Sequence, residues 1–306
     1  MQHLKKKVNW FMKTMEYKFK VLRCLFSDDK KYKSKKHVKD FGYVPNLHTP
    51  ETFNEKIIFR MLYERNSSFT YLANKINAKL HISRVIGPQY VVPVIGIYTN
   101  FDSIDFEKLP MSFVLKCTHD SESSIICNDK RLFNKEEARK KLNFCLKRNM
   151  YYTTREKHYR HIDPLIICEE YLNVYNEGDR DTTPELYRIH CFDGRPEFIE
   201  VDFTDSNGKE FVNIYNDRWE RQNVTVGYPN KSCKIKCPGE LNELIRLSTI
   251  LSKEFDYVRL DWFIAGGNLF FSEFTFTPCS GRMQFNPINF DYQFGSYWNQ
   301  RFKNNF

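Results

Sequence analysis

Two runs near the C-terminal end, Tyr257–Ile264 and Leu269–Phe276, are rich in aromatic and β-branched residues and flank Ala265-Gly266-Gly267-Asn268. A Gly-Gly centre accepts the positive φ that tight hairpin turns demand, so the pattern predicts an antiparallel hairpin. A second hairpin is predicted from Tyr187–Phe192 and Pro196–Phe203 around Asp193-Gly194. Phe113–Cys117 reads as a buried strand, Gln89–Tyr98 as a strand near a sheet edge, and Pro164–Leu172 as a hydrophobic strand that breaks into two carboxylates. Helical spacing takes over elsewhere. Thr52 followed three residues later by Glu55 is a capping-box pattern, and Ile57, Ile58, Met61 and Leu62 continue it. Further helices are predicted over Thr70–Arg84, Leu132–Asn149 and Gly239–Glu254. The mixture is α+β.

Toward the N-terminus, Leu4, Val8, Phe11, Met12, Met15, Phe19, Leu22 and Phe26 recur at steps of three and four on a segment studded with Lys. This is a basic amphipathic helix. Residues 1–40 hold twelve Lys and one Arg against four acids, a net of +9 that equals the formal charge of the whole chain; the remainder is neutral. Two readings stand: the stripe lies on an anionic membrane surface, or it docks on the protein's own core with its lysines solvated. The lysine-rich run Lys30–Lys39 reads as a linker or exposed face, so residues 1–45 are set apart as an arm and 46–306 as the body. Nucleic-acid binding is a poorer fit, because the basic excess has no aromatic strand platform, zinc-finger spacing or helix-turn-helix beside it.

At 306 residues, 41% hydrophobic and 16% aromatic, the chain can bury a large core. It contains no apolar run of the roughly eighteen residues that a spanning helix needs and no secretory h-region, so a cytoplasmic location is expected. The nine cysteines are odd in number and scattered, several inside strand-like runs, as reduced core cysteines are. Cys233 and Cys237 have no second Cys/His pair nearby, and no metal is assigned to them.

The candidate chemistry lies on the C-terminal hairpin. Arg259 and Asp261 are two apart and share a face of the first strand; Glu273 and Thr275 share a face of the second. Two carboxylates and an Arg on an apolar ribbon are costly to desolvate unless something fills the gap, and hard divalent cations prefer oxygen ligands. Either Mg²⁺ sits between Asp261 and Glu273, or Arg259 forms a surface salt bridge with one of them.

R-x-D, a hairpin, then E-x-T with a Pro five residues past the Glu resembles the metal-binding end of ATP-grasp ligases. Within that group FSEFTFTPCSG, with TFNEK at Thr52–Lys56, FVLKCTH at Phe113–His119 and EEYL at Glu169–Leu172, resembles the TupA-like ATP-grasp proteins. Those are named after teichuronopeptide synthesis and often sit in surface-polysaccharide clusters. The resemblance runs from about residue 50 to the C-terminus and implies an ATP-grasp fold with a lid, about 110–170, and an antiparallel core sheet, about 171–290, clamping Mg-ATP. It assigns Asp261, Glu273 and Thr275 to Mg²⁺, Lys75 and Lys116 to the phosphates, and His119 and Ser121 to the loop folding over them. Glu169, Glu170 and Leu172 fall at the adenine hinge, which Glu156 and Tyr159 precede in a pairing that the family carries. Arg188 lies near the phosphates, and Arg259 is the catalytic residue facing a developing oxyanion.

The implied reaction is carboxylate–amine ligation through an acyl phosphate, with a uronic acid of a capsule or O-antigen (lipopolysaccharide) unit and an amino acid as substrates. Glycosyl transfer and a non-catalytic binding module are the alternatives. The chain departs from its relatives at four places. Asn74 replaces an Asp before Lys75, and Arg188 stands where a Lys is usual. Asp202-Phe-Thr-Asp205 lacks the Arg of an Asp-x-Asp-Arg pattern, and His119-Asp120-Ser121-Glu122 replaces His-Gly-Ser-Gly. The last sets two acids toward phosphates, so the loop turns them away, they act through Mg²⁺, or nucleotide affinity falls.

Overall fold

The computed structural model describes residues 9–175 and 180–300. Its helices are α1 (Trp10–Phe26), α2 (Asp29–Phe41), α3 (Phe53–Tyr63), α4 (Ser67–Ala73), α5 (Lys75–Val85), α6 (Lys135–Lys147), α7 (Met150–Thr154), α8 (Leu241–Ser252) and α9 (Asn289–Tyr297). The strands are β1 (Val94–Tyr98), β2 (Phe113–Cys117), β3 (Ile125–Cys127), β4 (Ile166–Glu170), β5 (Leu186–Phe192) and β6 (Arg195–Thr204), followed by β7 (Glu210–Asn216), β8 (Thr225–Val226), β9 (Tyr257–Ala265), β10 (Asn268–Thr275) and β11 (Phe285–Asn286). The chain divides into two compact units, residues 1–32 with 94–171, and residues 33–93 with 172–306.

In the first unit an antiparallel sheet of order β1-β4-β2-β3 turns alternate residues of β2, Phe113, Leu115 and Cys117, into a core closed by Leu142 and Cys145 of α6. Helix α1 docks on α6 and α7. Trp10 Nε1 donates to Glu137 Oε1 at 2.8 Å, and Asn149 N donates to the Tyr17 hydroxyl at 2.8 Å. This is not the face expected to dock. Phe11, Met12, Met15, Phe19, Leu22 and Phe26 are 47% to 83% exposed; Leu4 and Val8 lie outside the described residues. Trp10 and Tyr17 carry the packing instead, because each joins an apolar ring to a polar atom that finds a partner.

Of the two readings of the run Lys30–Lys39, linker or exposed face, the structure gives the second: it is part of helix α2, with Lys30, Lys31, Lys35 and Lys39 exposed. Lys33 is buried with its Nζ 3.3 Å from Ser280 O, and the buried His37 ring lies 4.6 and 4.7 Å from those of Phe41 and Tyr43.

The second unit is built on a five-stranded antiparallel sheet of order β10-β9-β5-β6-β7. Both of its tight turns hold their central pair at positive φ, Gly266 at 55° and Gly267 at 73°, Asp193 at 47° and Gly194 at 77°, as the primed hairpin turns require. One face packs under α8, through Leu241, Leu244, Leu247 and Leu251, and under α4 and α5. The other packs in part under α3 and α9, through Phe53, Ile57 and Phe294. The helix expected over Thr70–Arg84 is two, because the Asn74 side chain accepts from the amides of Ile76 and Asn77 and starts α5 afresh. The strand expected over Gln89–Tyr98 forms only from Val94, after Pro88 and Pro93, which have no amide hydrogen to give.

Helix α3 begins at the expected capping box: the Thr52 hydroxyl accepts from Glu55 N at 3.1 Å, and the Glu55 carboxylate accepts from Thr52 N at 3.2 Å. This orients Arg60, which is 1% exposed. Its Nη1 donates to Tyr257 O at 2.8 Å and Phe276 O at 3.2 Å, and its Nη2 pairs with Asp256. One guanidinium thus ties the open end of the β9–β10 hairpin to α3. Removing one partner of a buried, hydrogen-bonded pair costs about 3–5 kcal/mol. Arg60→Met should lower the free energy of unfolding by that order in urea titration; an unchanged midpoint and slope would show that the clamp contributes nothing.

Candidate functional site

A two-residue turn pairs Ala265 with Asn268, and strict alternation from there would set Ser272 opposite Asp261 and send Glu273 to the other face. The strands do not keep that register. Phe271 pairs with Trp262, but Glu273 pairs with Asp261 and Thr275 with Arg259, so β10 carries a bulge at Ser272. The β5–β6 hairpin does the same: Cys191 pairs with Pro196, His190 with Phe198 and Arg188 with Glu200, leaving Glu197 as the extra residue. Because Arg188 also pairs with Asp261, a row of charged residues, Glu273, Asp261, Arg188 and Glu200, runs across four neighbouring strands. His190, Arg259 and Thr275 form the next row, and Asp202, two residues past Glu200, joins the same face.

The contacts within this cluster are close. Arg259 grips Asp261 through Nε (2.8 Å to Oδ1) and Nη2 (2.7 Å to Oδ2), and Nη2 also reaches Thr275 Oγ1 at 3.2 Å and Glu273 Oε1 at 4.0 Å. Arg188 pairs with Glu200, lies 2.5 Å from Asp202 Oδ2 through Nη2, and comes within 3.9 Å of Asp261 Oδ2 through Nε. Lys75 Nζ stands 3.9 Å from Glu273 Oε2. His190 is fully buried, and the tautomer that satisfies its neighbours donates from Nε2 to Glu200 (3.2 Å) and accepts at Nδ1 from the Tyr257 hydroxyl (3.0 Å). Burial lowers its pKa, which keeps the imidazole neutral. Four carboxylates therefore face three cations.

Burial pushes the Asp261 carboxyl up to about 6, opposed by Arg259 and reinforced by Glu273. It pushes Asp202 up to about 7 against the pull of Arg188. Burial also acts against charge on Glu200, but Arg188, the His190 hydrogen bond and Arg259 outweigh it and hold that carboxyl well below the ordinary range. Asp202 Oδ1 is buried and has no hydrogen-bond partner among the described residues. Carboxylates that resist ionisation where they are crowded mark a place where added positive charge would be welcome.

Of the residues expected here, the fold gathers Arg259, Asp261, Glu273, Thr275, Lys75 and Arg188 on the second unit. The weighed Arg259–Asp261 salt bridge exists but is buried, with Asp261 1% exposed. The donor set of Asp261, Glu273 and Thr275 is all oxygen and fits a hard divalent cation. Among the described residues no three His, Cys, Asp or Glu side chains converge as a complete cage. The protein would supply part of a shell and leave the rest to phosphate and water, as suits Mg²⁺. Asn74 keeps the helix-capping role an Asp would have there, so Lys75 still starts α5. Sequence reasoning missed Glu200, Asp202 and His190 as members of the cluster. Only the slip on β10 was legible, since apolar Leu269 and Phe271 are followed by Phe274 and Phe276.

In the first unit, Lys116 on β2 and Glu169 on β4 meet as an ion pair at 2.5 Å, with Glu169 2% exposed. Glu170 is exposed at the end of β4, and Leu172 opens the second unit. The loop after Lys116 is latched rather than open. Ser123 Oγ accepts from Cys117 N at 2.8 Å, and His119 Nε2 lies 3.1 and 3.0 Å from the carbonyls of Cys145 and Arg148, where α6 ends. Ser121 is exposed at its tip. The two acids expected to oppose phosphate are turned to Arg148. Asp120, 1% exposed, accepts from its Nε at 3.0 Å and Nη2 at 2.7 Å, and Glu122 accepts from its Nη1 at 2.7 Å. Arg148 supplies the charge compensation that this acidic loop requires.

Two outcomes follow from these geometries. The folded protein holds the Asp202 proton more tightly than an unfolded chain, where the pKa is 3.8. Stability from this group therefore falls as pH rises from about 4 through about 7. Asp202→Asn should gain stability relative to its parent across that window in thermal melts without divalent cation; parallel profiles would contradict the burial. Asp120→Asn should cost up to about 3–5 kcal/mol of stability by leaving Arg148 with only the exposed Glu122 as a partner, and a double-mutant cycle with Arg148→Met should recover most of it.

The profile of the TupA-like ATP-grasp family matches residues 55–299. Among solved structures, the chain is similar to the D-alanine–D-alanine ligase of Bacillus anthracis, with 18% identity, covering 69% of this chain and 58% of that one at a TM-score of 0.40. It is similar also to an L-amino acid ligase of Bacillus licheniformis (11%, 82% and 55%, 0.44) and to the D-alanine–D-alanine ligase of Helicobacter pylori (12%, 75% and 61%, 0.38). The chain thus spans little more than half the length of these ligases. No curated protein matches it. Matched by that profile over most of its length, with helices and antiparallel sheets in both units, the chain belongs to the TupA-like ATP-grasp family and has its α+β fold.

Proposed function

We propose that the protein is an ATP-dependent carboxylate–amine ligase that forms an amide through an acyl phosphate. The observation that carries this reading is the charged row on β10, β9, β5 and β6, where Asp261 and Glu273 stand beside a rigidly held Arg259. In the first step a substrate carboxylate oxygen attacks the γ-phosphorus of ATP, the bond to the bridging oxygen breaks, and ADP leaves. In the second an amine nitrogen adds to the acyl carbon, phosphate departs with its bonding pair, and the nitrogen releases a proton. No protein nucleophile is required.

Asp261, Glu273 and Thr275 would hold Mg²⁺, which when bound neutralises charge on the phosphoryl oxygens. Lys75, Lys116 and Arg188 would bind phosphate oxygens, with His119 and Ser121 shaping and tipping the loop after Lys116. The strand end at Glu169, Glu170 and Leu172 would receive the adenine. Arg259 is fixed on both edges by Asp261 and Thr275, so its remaining positive field meets the oxyanion of the second step without reorganising. For substrates we propose a uronic acid of a capsule or O-antigen saccharide and an amino acid, in keeping with the surface-polysaccharide association of the family. A cytoplasmic location at the inner face of a membrane is part of the proposal, supported by nine free cysteines.

A non-catalytic module loses its main support, since Asp120 and Glu122 are compensated by Arg148. Glycosyl transfer is separable by product: ligation releases ADP and phosphate only when both acid and amine are present, whereas glycosyl transfer releases a nucleoside diphosphate from a sugar nucleotide. Glu273→Gln should lower ADP release by about 100-fold or more, roughly 3 kcal/mol in barrier, with an unchanged melting temperature. Turnover at the parent's rate would remove Glu273 from the metal site.

A further inference from the structure

Helix α1 uses two faces differently. Trp10, Tyr17 and Cys24 turn toward α6 and α7, with the Cys24 thiol 3.8 Å from Tyr152 O. Phe11, Met15, Phe19, Leu22 and Phe26 recur at steps of four and three along the far side, each about half exposed or more, with Leu25 at 74% beside them. No described residue covers them. Lys18 and Arg23 flank this line at helical spacing, Lys30 and Lys31 are exposed shortly after the helix in the same unit, Lys13 lies over the Trp10 ring on the docked side, and the one acid of the helix, Glu16, is paired with Lys20 at 2.7 Å. The excess is large, since residues 1–40 carry all of the chain's net charge of +9.

We infer that this stripe is a docking surface for an anionic lipid bilayer, against which α1 lies flat while its other face stays bound to the first unit. The pattern of large apolar side chains rimmed by cations is that of an interfacial helix. The charge selects the lipid: lysines beside an apolar stripe are attracted to anionic headgroups and are depleted from the core of protein interfaces. The area also disfavours a second copy of the chain. Seventeen residues at 1.5 Å each, about 10 Å wide, present about 260 Å², whereas a stable interface needs about 800 Å² per partner. Because α1 is already docked, lipid contact requires no unfolding. The inference shares with the proposed function only its location at the inner membrane face and is independent of the ligation chemistry.

The test is co-sedimentation of the full chain with vesicles of phosphatidylglycerol and phosphatidylcholine, and with phosphatidylcholine alone. Partitioning should be at least tenfold stronger on the anionic vesicles and weaken as salt rises. Phe19→Glu with Leu22→Glu, and the milder Phe19→Ala with Leu22→Ala, should reduce it more than tenfold at unchanged melting temperature, while Leu132→Glu, an exposed apolar site elsewhere, should not. Equal binding to neutral vesicles, or retention of binding by the stripe variants, would overturn the inference. So would a dimer in light scattering that the stripe variants split, which would assign the stripe to a second copy. Failure of ATP turnover would leave these outcomes untouched.

Discussion

Two guanidinium groups set among four carboxylates, on the polar half of an otherwise apolar sheet face, constrain the rest of the second unit. A buried charge is tolerated only where a partner meets it with good geometry. Arg259 meets Asp261 along one strand, while Arg188 reaches Glu200, Asp202 and Asp261 across three. Without the bulges, Ser272 would stand opposite Asp261 in one hairpin and Ile199 opposite Arg188 in the other, taking Glu273 and Glu200 off this face. The two bulges, at Ser272 and Glu197, are thus conditions of the fold as much as of the site.

Around that row, the fold supplies rigidity. Arg60 fastens the hairpin's open end to α3, whose own start is fixed by the Thr52–Glu55 capping box and by Asn54, bonded to Asp291 of α9 and to Met283. A site whose dipoles are already oriented has little to reorganise when charge develops, which links this packing to the proposed chemistry. The first unit applies the same device in the loop after Lys116, which His119, Ser123 and Arg148 fasten.

Much of this was legible along the chain. Hairpins announced themselves through Gly266-Gly267 and Asp193-Gly194, helix α3 through its capping box, and the candidate ligands through Arg259-x-Asp261 and Glu273-x-Thr275 beside a strand turn. All are local signals, in which a backbone preference and its residue lie within a few positions of each other. The family resemblance adds Lys116 and Glu169 by pattern; that they form one ion pair depends on β2 and β4 being neighbours.

What the sequence by itself determined, then, is the two long hairpins with their tight turns, the capped start of α3, the run of α6 and α8, and which residues carry charge, because propensity, turn chemistry and periodicity act over short distances. Tertiary structure alone decided which charges meet. Glu200 and Asp202 face Arg188 only through a bulge, and Asp120 and Glu122 are spent on Arg148, more than twenty residues away. The exposed face of α1 was settled likewise by Trp10 and Tyr17 finding partners on α6 and beside α7. Each of these outcomes depends on desolvation and pairing between distant segments, and the free energy of a buried charge is defined only once the neighbours that the fold delivers are in place.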